Sequence, residues 1–104
     1  MQFKTLQPDV ASEWLQQGSA GFVDIRDPQS FGHQHIRGAL HLDNDSLQAF
    51  LQQADRMRPL VVCCYHGVSS QSAAQFLAEQ GFQEVYSLDG GFEFWRNRYP
   101  ALCE

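Results

Sequence analysis

"RPLVVCCYHGVSSQSAAQFLAEQG", residues 58–81, carries two structural periods back to back. From Leu60 to Tyr65 the residues are apolar without alternation, behind Pro59. Such a run reads as a strand covered on both faces, the pattern of a parallel sheet. Further on, Ala73, Phe76 and Leu77 recur at helical spacing and stop at Gly81. The join holds Cys64, Gly67 and the pair Ser69 and Ser70. The stretch therefore predicts a buried strand that ends at Cys64, a tight turn, and a helix starting near Ser69 or Ser70 with a serine as its cap.

The same alternation extends outward. "FKTL", "GFVDI", "ALHL" and "EVYSL" are further short apolar runs, giving five expected strands. Between them lie helical stripes: Ala11, Trp14 and Leu15, bounded by Pro8 and Gly18, and Phe92, Trp95 and Tyr99, bounded by Pro100. A third is Leu47, Phe50, Leu51 and Ala54, with Asp43 and Asp45 as candidate N-caps; a short helical turn follows Pro28. Strand and helix in alternation define an α/β fold with a five-stranded, mostly parallel sheet flanked by helices on both faces. At 104 residues, we expect one domain spanning 1–104. Ligands bind at the carboxyl ends of the strands in such sheets, which is where Cys64 falls.

Composition narrows the function. The formal charge is −5, with Lys4 as the single lysine, so nothing offers the clustered cations that nucleic acid rewards. No apolar run approaches the length of a membrane span. The opening "MQFKTLQPDV" lacks a basic patch followed by an apolar stretch, so no secretory signal is expected. Three cysteines, two of them adjacent, make a poor disulfide framework, and a reducing cytoplasm is the expected location.

A thiol at the mouth of a helix is chemically favoured as an anion. The turn can aim successive N–H groups inward, and the helix dipole adds positive potential. A free cysteine with a pKa of ~8.5 is only ~3% thiolate at pH 7, whereas a drop of ~2 units makes it roughly three-quarters thiolate. Cys64 is thus the candidate nucleophile. Cys63 points to the other sheet face by strand alternation and is expected in the core; Cys103 is expected to be an exposed bystander. His66 lies inside the loop as an exposed candidate acid–base group. Asp24 and Arg26 read as a structural ion pair, and Gly90-Gly91 as a tight turn into the last helix. His33, His35 and His41 match no standard zinc spacing, so neither a metal nor a cofactor is expected. Phosphatases also use a cysteine between strand and helix, but close the loop with an arginine that grips two oxoanion oxygens. Here no arginine lies between Arg58 and Arg96.

Three segments together resemble the rhodanese family of sulfurtransferases. "FVDIRDPQSFGHQHIRGALHL" is similar to its first signature, an Asp-x-Arg strand end followed by His-Ile-x-Gly-Ala. "CYHGVS" resembles its six-residue active loop, and "LDGGFEFW" its closing Gly-Gly-x-x-x-Trp signature. The resemblance covers nearly the whole chain and implies the rhodanese fold and a double displacement. Cys64 would take the outer sulfur of thiosulfate as a persulfide and release sulfite. An acceptor, cyanide in assays or a thioredoxin-like dithiol in cells, would then receive the sulfur. The N–H groups of Tyr65, His66, Gly67, Val68 and Ser69, with Ser70, would bind the substrate sulfur. The family also contains binding and regulatory modules that have lost the cysteine, and sulfur carriers serving one protein partner; retention of Cys64 favours the enzyme.

Overall fold

The computed structural model describes residues 3–104. Its elements alternate as expected: β1 (Lys4–Leu6), α1 (Pro8–Gln17), β2 (Gly21–Asp24), α2 (Pro28–His33), β3 (Leu40–His41), α3 (Leu47–Gln53), β4 (Leu60–Cys63), α4 (Ser69–Glu79), β5 (Val85–Leu88) and α5 (Gly91–Arg98). A 3₁₀ turn, Pro100–Leu102, follows. The strands form one sheet in the order β1-β5-β4-β2-β3, and every strand pair is parallel. The central strand β4 is buried throughout, as its unbroken apolar run requires.

Side chains alternate across the sheet and sort the helices into two layers. On one face Phe22, Val61, Cys63 and Leu88 meet Ala11 of α1 and Phe92 and Trp95 of α5. On the other, Val23, Leu60, Val62 and Val85 meet Ala74 and Leu77 of α4, with Phe50 and Leu51 of α3 alongside. Cys63 accordingly lies in the first core, facing away from α4. The chain end folds back on α2: Cys103 bridges Ile36 in antiparallel fashion, and His35 and Glu104 exchange backbone hydrogen bonds of 3.0 and 2.8 Å.

Several local expectations are corrected. The strand ends at Cys63, so Cys64 is the first loop residue rather than the last strand residue. No serine caps α4: Val68 stands at the N-cap without a side-chain bond, and Ser69 and Ser70 are already helical. Neither Asp43 nor Asp45 caps α3, whose N-cap is Ser46; Asp43 instead closes the preceding turn, accepting the N–H groups of Asp45 and Ser46. The turn after Pro28 is a six-residue helix, capped by the Asp27 carboxylate on the N–H of Ser30. Cys103 is half-buried against the core, because the returning tail presses it inward.

Candidate active site

The loop after β4 is shaped by what its carbonyls touch. The first N–H groups of α5 reach across to it: Phe92 donates to Cys64 O at 2.8 Å and Glu93 to Tyr65 O at 3.0 Å. The Gln71 side chain takes Gly67 O at 3.0 Å, and the Gln71 N–H takes Val68 O at 3.1 Å. With its carbonyls drawn outward, the loop turns N–H groups inward. Gly67 donates to Cys64 Sγ at 3.2 Å, and Ser70, in the first turn of α4, does so at the same distance. The Ser70 hydroxyl adds a third contact at 3.2 Å.

Two glycines make this approach possible. Gly67 has φ +87°, which a left-handed turn requires, and a Cβ there would stand 3.0 Å from Gly90 N and Leu88 O. Gly91 has φ +58°, and a Cβ there would stand 2.5 Å from Tyr65 O and 2.6 Å from Cys64 O. The Gly90-Gly91 pair is therefore more than a turn: it brings the N-terminus of α5 into backbone contact with the loop.

The electrostatics follow. Burial pushes the Cys64 thiol up, but the Ser70 hydroxyl and the N–H groups of Ser70, Gly67 and His66 outweigh it, leaving the thiol below its ordinary value. Cys63, one residue earlier, goes the other way. It is buried beside Asp24, and both effects hold it protonated, well above the ordinary value. Cys103 is also raised, by burial, with Arg26 opposing. Of the three thiols, Cys64 alone is shifted toward the anion.

No side-chain cation among the described residues makes a hydrogen bond to Sγ. Arg26 is buried and its guanidinium forks onto Asp24 at 2.8–3.1 Å, lying 4.2 Å from the Phe92 ring centroid. Its charge is matched by that carboxylate, so the expected ion pair is present. Arg96 forks onto Glu93 on the surface. The Tyr65 hydroxyl is held outside the loop by Asp27 and by Ser30, the latter at 2.7 Å. The Tyr65 hydroxyl, followed by the N–H and hydroxyl of Ser30, donates to the Asp27 carboxylate and holds it well below the usual carboxylate range.

The six loop positions singled out beside Cys64 thus divide. Gly67 and Ser70 touch Sγ, while His66 faces it through its N–H and keeps its imidazole in solvent. Tyr65, Val68 and Ser69 donate no hydrogen bond to Sγ; Val68 is 74% exposed at the loop tip. The three clustered histidines serve elsewhere. His35 lies between Phe31 O and Glu104, His41 between Arg26 O and Asp43, and His33 ends α2 in solvent. Sequence reasoning missed Ser87 of β5, fully buried with its hydroxyl 2.7 Å from that of Ser70. Its only sequence signal is a polar residue inside the apolar run "EVYSL". A cavity of about 670 Å³ lies elsewhere, lined by Gly21, Leu60, Phe50 and Arg58 but by none of the residues 64–70. The donors around Sγ, not that cavity, define the candidate site.

A thiol one residue past the central strand of an α/β sheet, beside the N-termini of two helices and drawn toward the anion, is the arrangement that cysteine nucleophiles use. Residues 7–98 match the model of the rhodanese-like domain, and the chain belongs to that family. It is similar to thiosulfate sulfurtransferase GlpE of Ectopseudomonas mendocina, 59% identical over 100 residues that cover 96% of this chain and 91% of that one. It is also similar to the protein of the same name from Stutzerimonas stutzeri, 57% identical over 102 residues covering 98% and 93%. In fold it resembles the crystal structure of a rhodanese-related protein from Thermoplasma volcanium, with TM-score 0.78, 21% identity, and 93% and 94% of the two chains covered.

Proposed function

We propose that the chain is a thiosulfate sulfurtransferase in which Cys64 carries the sulfur. The observation that carries this reading is the convergence of two N–H groups and a hydroxyl on Cys64 Sγ at 3.2 Å. Likeness over nearly the full length to two thiosulfate sulfurtransferases supports the choice of donor.

In the first half-reaction the Cys64 thiolate attacks the outer sulfur of thiosulfate. A Cys64 S–S bond forms, the S–S bond of thiosulfate breaks, and its electron pair leaves with sulfite. The negative charge then rests on the new outer sulfur, one bond beyond Sγ. There the N–H groups of the loop from Tyr65 to Ser69 would hold that charge, with those of Gly67 and Ser70, which already reach Sγ, behind it. In the second half-reaction cyanide takes the outer sulfur as thiocyanate and restores the thiolate. A dithiol protein of the thioredoxin kind takes it as a persulfide and closes to a disulfide, releasing hydrogen sulfide. The chemistry suits a reducing cytoplasm, where Cys64 stays reduced between turnovers.

Intact-mass analysis after thiosulfate treatment tests the reading. Wild type and Cys63→Ala should each gain one sulfur atom, and Cys64→Ser should gain none. Sulfur on Cys63 or Cys103 would overturn the assignment of Cys64. Hydrolysis of aryl phosphate at a comparable Cys64-dependent rate would overturn the reaction class.

A further inference from the structure

Behind Cys64 a second hydroxyl completes a short buried chain. Sγ of Cys64 lies 3.2 Å from Oγ of Ser70, and Ser70 Oγ lies 2.7 Å from Oγ of Ser87. Ser70 and Ser87 are both 0% exposed, on α4 and β5. The Ser87 hydroxyl has no other hydrogen-bond partner among the described residues. Its position is set by the sheet: Ser87 pairs with Val62, two residues before Cys64, and points to the α4 side.

Three atoms joined in a row make two links, and hydrogen counting decides which charge state they suit. With Cys64 as a thiol, Sγ and the two hydroxyls carry three hydrogens, one more than the links can use. The surplus hydrogen either leaves the buried Ser87 hydroxyl without an acceptor, where an unmade hydrogen bond is costly, or turns the S–H away so that Ser70 donates only to a weak neutral sulfur acceptor. With Cys64 as a thiolate, two hydrogens fill two links: Ser87 donates to Ser70 Oγ, and Ser70 donates to Sγ. The proton lost from sulfur goes to solvent, and the Ser70 hydroxyl has one orientation left to it.

We propose that Ser87 is a positioning residue: acting through Ser70, it holds a hydrogen-bond chain that is strongest when Cys64 is an anion. The proposal rests on Cys64 working as a thiolate, and it deepens that reading by adding a residue outside the loop. Ser87 touches neither substrate nor Sγ. Its contribution is to remove the alternative in which the Ser70 hydroxyl turns away from sulfur and donates to Ser87.

The test is the pH midpoint of Cys64 alkylation by iodoacetamide, with labelled peptides identified by mass. It needs no sulfur donor, so it stays readable even if thiosulfate proves not to be a substrate. Ser70→Ala should raise the midpoint by about one to two pH units, the size of a lost hydrogen bond to a charged group. Ser87→Ala should raise it by about half a unit, and the Ser70→Ala/Ser87→Ala double variant should match Ser70→Ala alone. Ser87→Cys, which keeps a small side chain but offers a weak donor, should fall between wild type and Ser87→Ala. It also serves if Ser87→Ala does not fold. A midpoint unchanged from wild type in Ser87→Ala, or in Ser87→Cys where that variant stands in, would overturn the proposal. So would a Ser87→Ala shift that persists in full without the Ser70 hydroxyl, since the effect would then bypass Ser70.

Discussion

The two ends of the sheet handle helix dipoles in opposite ways. At the amino end of β4, where α1, α3 and α4 finish, exposed carbonyls are closed by side-chain cations. Arg56 donates to Leu51 O at 2.6 Å and Gln80 O at 3.0 Å while lying over the Phe82 ring, and Arg58 donates to Gly18 O at 3.0 Å. At the carboxyl end, where α4 and α5 begin, the buried Arg26 is taken up by Asp24 and Gln34 O, and among the described residues no side-chain cation bonds to Sγ. Loop carbonyls close the first N–H groups of α5, and the loop and α4 turn theirs to Cys64. Permanent negative ends receive permanent partners, whereas the positive end is left to a charge that, in the proposed reaction, shifts between Sγ and the outer sulfur. A lysine at the carboxyl end would attract the donor but would also hold the product sulfite.

The comparison breaks most severely at Gly91. A methyl group there overlaps the carbonyls of Tyr65 and Cys64, so Gly91→Ala should lower sulfur transfer by at least ~10²-fold in protein that remains folded by circular dichroism. A rate near wild type would mean that the α5 contact does not shape the loop. Next in size is the difference between thiols. Cys64 lies below its ordinary value and Cys103 above, so at neutral pH iodoacetamide should label Cys64 first, and Cys103 only as pH rises further. Ionisation of each thiol increases with pH, so the two labelling curves should rise in that order. Curves that coincide would show that the donors around Sγ have no net effect.

At the other end the expected effect is on stability alone. Arg56→Ala should reduce unfolding free energy in urea by about 1–2 kcal/mol, since two charge-assisted bonds to helix ends are lost at a half-exposed site. Turnover per folded molecule should not change. A loss of activity without loss of stability would contradict the division between the ends. The smallest effect sharpens the comparison. Val68→Lys puts a cation at the exposed loop tip and should lower the KM for thiosulfate about two- to five-fold at low ionic strength, fading in salt. An unchanged KM at low salt would show that charge at the mouth does not limit binding.

The sequence made the carboxyl end far more legible than the amino end. Cys64, Gly67 and Ser70 lie within one heptapeptide, so the chemistry of the loop reads from adjacent residues. Arg56 reaches the helix end at Gln80, 24 residues further on, and nothing local marks it. The same distinction explains the errors at the site. A serine before a helix reads as a cap by local propensity, yet the Ser70 hydroxyl is drawn inward by Ser87, 17 residues on. Gly90-Gly91 reads as a turn because the Tyr65 carbonyl it must clear is invisible in one dimension. Layers, helix stripes and strand number were recoverable from periodicity. Contacts between loops were not.

The α5 contact also sets when, during synthesis, the thiol becomes special. A chain grown only as far as residue 80 already contains Cys64, Gly67 and Ser70, but neither β5 nor α5. Without them the Cys64 and Tyr65 carbonyls lack their donors, Ser70 lacks Ser87, and β1 has no neighbour, since it pairs only with β5. Such long-range closures come late in folding. On the ribosome Cys64 is then an ordinary thiol, and its reactivity switches on only after the last helix has emerged and docked.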